Sequence, residues 1–381
     1  MTQSSFVSAV LRVIPAALLV GCSSLASLPM QEKTLAPGVR YQRYRTDQPN
    51  DVHVLVIEGK HGAARLEVFR TRGLVPTSRL VSEAEREGIR VLGAVNGDFF
   101  EASGWPTGNQ VTDGKVVAAT HSVRSHLAVD SAGNFRLTPV AFMGSITTLT
   151  GGRWAIDEVN HPVKTNNLGA FTDAWYDSAS VLAQHRGVWL HLPGGRWSVT
   201  DTLRMVVDSI AYAVGEIGPK QLLIVPGDST SELAKAFSAG DTVSVFLGFF
   251  PTIPSLRELI GGAGRILTDG RATGLTEAAE EEVSANFIER RHPRTFLACD
   301  KDTTRLFVCV VDGRRQESVG MSFAEMAAFL KTLGAWNALN FDGGGSSTMI
   351  VGGSVVNNPS DRTGERPVGN SLLIRDPPLS R

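Results

Sequence analysis

The chain has 381 residues, 42% of them hydrophobic, with 37 Lys and Arg against 38 Asp and Glu and a formal net charge of −1. That length buries a sizeable core as one large domain or two small ones. The near-neutral balance supplies no basic surface for nucleic acid, so a nucleic-acid partner is set aside.

Residues 1–22 combine a lone positive charge at Arg12, an apolar run at 13–20 and small residues before Cys22. This is the layout of a secretory signal, too short to span a bilayer as a helix. Leu19-Val20-Gly21-Cys22 resembles the lipobox of bacterial lipoproteins. The resemblance implies cleavage before Cys22, acylation of its thiol and an exported chain anchored to a membrane of the cell envelope, with Ser23 favouring the outer membrane. The expected plan is a signal peptide at 1–21, a tether at 22–36 and one domain at 37–375, in which 140–250 is sheet scaffold and a lobe walling a cleft.

Apolar runs at 52–57 and 65–69 predict strands. A charged helix at 78–87 stops at Gly88, and an apolar strand at 89–95 delivers Asn96-Gly97-Asp98. Turn signals through 112–137 predict antiparallel hairpins. Short strands follow at 154–159, 179–184, 203–207, 221–225 and 242–249, with helices at 231–237 and 277–283. Arg290, Arg291, His292 and Arg294 sit beside a strand start and form a candidate for anion recognition, because a guanidinium meets phosphate oxygens two at a time. The hairpin at 295–312 carries Cys299 and Cys309. An oxidising compartment permits a disulfide, a direct cross-strand bridge is geometrically awkward, and two buried thiols are the alternative.

Ser322 and Glu325 form a capping-box pattern, Phe323, Met326, Ala327 and Leu330 share one face, and Gly334 stops the helix. A strand at 335–341 then alternates so that Asn340 and Asp342 point one way and Phe341 the other. Gly343, Gly344 and Gly345 leave a turn without Cβ atoms, and Ser346, Ser347 and Thr348 add hydroxyls; the stretch reads as an anion or sugar cradle. No Lys follows the glycines, as a Walker A loop requires, and Ser346 lacks the frame of a nucleophile elbow. The two units, each a helix, a glycine stop, a strand and Asn-x-Asp, would bring two carboxylates together if their ends met. The fold class expected is α+β, a mixed and largely antiparallel sheet core with a few helices packed on it and a cleft at the strand ends.

The stretch 96–100, Gly261-Gly262 with Asp269-Gly270, His292 to Thr295, Val311-Asp312-Gly313-Arg314, Ser318 to Met321, Asp342 to Thr348 and Glu365-Arg366-Pro367 resemble, in that order, the phosphodiester glycosidase family. The likeness is strong from about residue 250, moderate over 80–150 and looser between. It implies hydrolysis of the bond between a sugar's anomeric carbon and a phosphodiester oxygen, on a sugar phosphate or envelope glycan such as an N-acetylhexosamine derivative. Asp342 would be nucleophile or base, with Asp312 and Asp98 as further catalytic candidates. Asn96, Arg294, Arg366, Gly343, Gly344, Gly345, Ser346 and Ser347 would bind substrate and phosphate. No cofactor and no metal is expected, since the sequence shows no clustered His and carboxylate ligands. The alternatives are a non-catalytic glycan-binding envelope lipoprotein and a metal-dependent phosphodiesterase.

Overall fold

Residues Asp51–Glu58 are buried at all but the last position, the pattern of a strand covered on both faces. In the computed structural model, which describes residues 28–59, 64–175, 182, 185–227 and 232–376, this strand lies inside an eight-stranded sheet. Its neighbours are Val39–Arg45 and Arg305–Val311, followed by Arg294–Cys299, Asn337–Asn340 and Arg265–Thr268. A five-stranded sheet packs against it, with Val91–Asn96 between Met349–Val351 and Ser371–Arg375. Leu55, Leu297 and Val308 from one sheet meet Val95, Met349 and Leu372 from the other in a core built of strand residues.

The outer face of the eight-stranded sheet is covered by helix Phe323–Thr332, whose Met326 and Leu330 pack on Phe296 and Cys309. The capping box is present: the Ser322 hydroxyl accepts from the Glu325 N–H, and the Glu325 carboxylate accepts from the Ser322 N–H. Helix Thr77–Arg86 covers the five-stranded sheet through Leu80, Val81 and Ala84. A third sheet of twelve strands, spanning Gln110 to Gly261, has its own core around Phe142, Val188, Val207 and Val245.

The expected α+β class is corrected by these layers. Among the described residues the protein is mostly β, with 45% strand, 11% helix and four short α-helices. The helices forecast near 78–87 and 322–333 exist, but each covers an outer face while the central core is sheet on sheet. The helix forecast at 231–237 is a 3-10 turn at Glu232–Ala236.

Gln31–Ala36, assigned to a tether, is an edge strand paired with Val39–Arg45. The signal segment and Cys22 lie outside the described residues, as does all but Leu182 of the strand expected at 179–184. Cys299 and Cys309 are both free and buried. They face opposite sides of their hairpin, Cys299 in the inter-sheet core and Cys309 under the helix.

Candidate active site

Strands Val91–Asn96 and Asn337–Asn340 end at the same place, and the loops that leave them are tied together. The Asn96 carboxamide donates to the Asp342 carbonyl at 2.7 Å, and the Asp342 N–H donates to the Gly97 carbonyl at 3.1 Å. The Asn96 carboxamide oxygen accepts from the Thr295 hydroxyl at 2.7 Å and the Thr348 N–H at 3.1 Å. Asn96 is fully buried and thus staples three strand ends; it does not face a substrate, as its assignment to substrate binding required.

The three carboxylates expected at the site fall in different environments. Asp342 is partly exposed and accepts the Gly343 N–H at 2.8 Å. Protein surrounds most of its carboxyl, and that burial raises its pKa, opposed by the Ser346 hydroxyl, the Gly343 N–H and the Arg366 charge. Asp98 is 2% exposed, with its oxygens taken by the N–H groups of Phe99 at 2.7 Å and Gly108 at 3.0 Å. Burial pushes Asp98 up to about 7, against the opposing Arg124 charge. A Cβ on Gly261 would collide with the Asp98 carboxylate, so this glycine admits the buried acid. Asp312, also 2% exposed, is held by Asn357 and Asn358. Only Asp342 of the three meets open space, so direct catalytic roles for Asp98 and Asp312 do not fit this geometry.

The glycine loop is a 3-10 turn at Gly344–Ser346. The Gly343 N–H goes to Asp342, the Gly344 N–H to the Pro293 carbonyl, and those of Ser346 and Ser347 to the carbonyls of Gly343 and Gly344. The expected cradle of free amides is to that extent closed upon itself. What the glycines provide is close approach. A Cβ on Gly345 would collide with the Asp361 carboxylate and the Arg366 guanidinium, and one on Gly344 would lie 3.1 Å from Arg314 Nη2. Arg366 binds Asp361 through Nε at 2.8 Å and Nη2 at 3.1 Å, and Arg314 Nη1 lies 3.9 Å from the same carboxylate. Two arginines therefore flank the loop beside Asp342. Below them the hydroxyls of Ser347 and Thr348 are buried without hydrogen-bond partners.

Arg294 is elsewhere. It is 0% exposed, its guanidinium lies 4.4 Å from the Phe287 ring and 5.2 Å from the Phe323 ring, and it donates to the carbonyls of Met321, Phe287 and Arg290. These contacts anchor the chain before the strand and correct the expectation that Arg294 meets phosphate. Arg314, exposed and at φ +62°, closes the Val311-Asp312-Gly313-Arg314 motif, and its proximity to Gly344 depends on tertiary packing. Asp51, His53 and Asp312 also converge, with one ligand atom from each within 4.8 Å of the others. Their spacing of 259 positions between His53 and Asp312 hid this cluster from the linear sequence.

A carboxylate and two guanidiniums at one glycine turn, set at the strand ends of a mostly β protein, form an arrangement chemically able to meet an anionic group. Over residues 205–375 the chain matches the model of the phosphodiester glycosidase family. A mouse N-acetylglucosamine-1-phosphodiester alpha-N-acetylglucosaminidase is 30% identical over 103 residues, 27% of this chain and 20% of that protein. The SPbeta prophage-derived uncharacterized protein YomE of Bacillus subtilis is 39% identical over 87 residues, 23% of this chain and 13% of that protein. This chain thus spans a fifth or less of the length of these curated relatives. In fold it is similar to a hypothetical protein from Synechocystis, with a TM-score of 0.69, 21% identity and coverage of 89% of this chain and 62% of that one.

Proposed function

We propose that the protein hydrolyses the glycosidic bond of a sugar-1-phosphodiester, with Asp342 serving the anomeric carbon and Arg366 and Arg314 holding the phosphate. The observation that carries this reading is the partly exposed Asp342 carboxylate beside the Arg366 charge at a turn whose glycines admit two guanidiniums. In the reaction the bond from the anomeric carbon to the phosphate oxygen breaks, and the phosphomonoester leaves with the electron pair, its charge met by the arginines. Water supplies the new hydroxyl, and its proton passes to Asp342 as base, or Asp342 first bonds the carbon and water then releases it. A phosphomonoester leaves without the acid assistance an alcohol needs, so one open carboxylate suffices.

A panel of sugar-1-phosphodiesters, N-acetylhexosamines among them, assayed for released reducing sugar tests the proposal. Binding without product would make the protein a glycan-binding module instead. The anomeric configuration of the first product separates the two routes, retention marking Asp342 as nucleophile. The same proposal puts the chain on an envelope membrane through acylated Cys22, supported by its lipobox-like sequence. Mass spectrometry of the mature amino terminus decides that part, an unmodified Cys22 overturning it.

A further inference from the structure

Asp51 begins the strand Asp51–Glu58, and Asp312 directly follows Arg305–Val311 on the neighbouring strand. Val52 lies opposite Val311, and the Asp312 N–H donates to the Asp51 carbonyl at 3.0 Å, so the two carboxylates end adjacent strands on one face. His53 shares that face. It is 1% exposed, and its Nδ1 is bonded to the Tyr41 hydroxyl at 2.8 Å. Its Nε2 stands 3.7 Å from Asp51 Oδ1 and has no hydrogen-bond partner. A buried ring nitrogen left unpaired destabilises the fold, and a ligand at that atom would recover the loss.

The charges are also unequal. Asp51 holds the Arg43 guanidinium, with Nε at 2.7 Å, and lies 3.9 Å from Arg45. Asp312 receives only amide donors, from Asn357 Nδ2 and from the backbone and side chain of Asn358. A second buried carboxylate therefore stands beside the first with no guanidinium or ammonium of its own.

We propose that Asp51, His53 and Asp312 form a binding site for one divalent transition-metal ion. An imidazole nitrogen with two carboxylates is a mixed nitrogen and oxygen set, suited to Mn2+ or Zn2+. Ligand distances of about 2.0–2.2 Å draw together three atoms that now lie within 4.8 Å. The Tyr41 hydroxyl then accepts from Nδ1–H, fixing the tautomer that presents the Nε2 lone pair. All three residues are buried, so the ion braces structure and does not touch substrate. What it braces is the segment after the glycine turn. Asn357, bonded to Asp312, also donates to the Ser347 carbonyl at 3.0 Å and accepts the Met349 N–H at 2.8 Å.

Crystals of the whole chain soaked in Mn2+ should show an anomalous scattering peak between these three residues. Calorimetry of chelator-stripped protein with Mn2+ and Zn2+ should show one saturable site. Tyr41→Phe keeps the ligands but frees the imidazole, and should weaken binding by about 10- to 100-fold; His53→Gln should abolish it, together with the metal-dependent rise in Tm. If the wild-type crystal holds Mn2+ only elsewhere or not at all, the proposal is overturned whatever the variants do. An isotherm unchanged in His53→Gln overturns it equally.

Discussion

The Asn96 carboxamide donates to the Asp342 carbonyl at 2.7 Å across 246 positions of sequence. The contact sets the height of the Asp342 backbone relative to the neighbouring strand, and with it the place where the carboxylate meets solvent. Asp342→Asn keeps the shape and removes the charge. It should lower kcat on the best sugar-1-phosphodiester by about 100- to 10,000-fold with little change in Tm. A folded variant with near wild-type turnover would remove Asp342 from the chemistry.

As nucleophile or base, Asp342 must be ionised, and burial raises its pKa. The acid limb of the kcat/KM profile should therefore sit above the ordinary carboxylate range, activity growing as pH rises through it. Replacing Arg366 with Met removes a charge that lowers this pKa, so the limb should move to still higher pH. A limb that stays in place would dissociate the two groups.

Arg366 meets Asp361 through a planar fork that Lys lacks. Arg366→Lys and Arg314→Lys should each reduce kcat/KM for a phosphodiester by about 10- to 100-fold, the worth of a charged hydrogen bond of ~1.5–3 kcal/mol. Arg294→Lys should behave oppositely, lowering Tm while leaving KM near wild type, because its Nε and Nη2 are spent on three backbone carbonyls and the whole side chain is buried. A raised KM with an unchanged Tm in Arg294→Lys would return that residue to the phosphate site.

Burial pushes the Asp98 carboxyl up to about 7 in the folded protein, against an ordinary 3.8. Between those values the folded state binds the proton more tightly than the unfolded one. Its contribution to stability is therefore full below about 3.8 and falls as pH rises to about 7. Burial likewise pushes Glu258 up to about 8, adding a slope of the same sign. Melting from pH 5 to 8 should show Tm falling with pH in the wild type and a shallower fall in Asp98→Asn. Identical slopes would mean that Asp98 ionises freely.

Several strands, among them those near 52–57, 65–69, 203–207 and 221–225, and the repeated Asn-x-Asp ends were legible in the sequence, because apolar periodicity and glycine stops are local signals, whereas Leu168–Phe171 and Arg186–His191 were not. The capping box at Ser322 was legible for the same reason, its partners being three residues apart. Which polar side chain stays open was not. Asp98, Asp312 and Asp342 look alike as letters at strand ends, and only the strands packed over them bury the first two. Arg294 and Arg366 are both arginines in polar turns, yet Phe287 and Phe323 close over one while Asp361 holds the other beside Gly345. The fold class was misread because a helix announces itself by local pattern, whereas sheet-on-sheet packing joins strands hundreds of residues apart. The same long-range pairing brings Asp51 and His53 to Asp312.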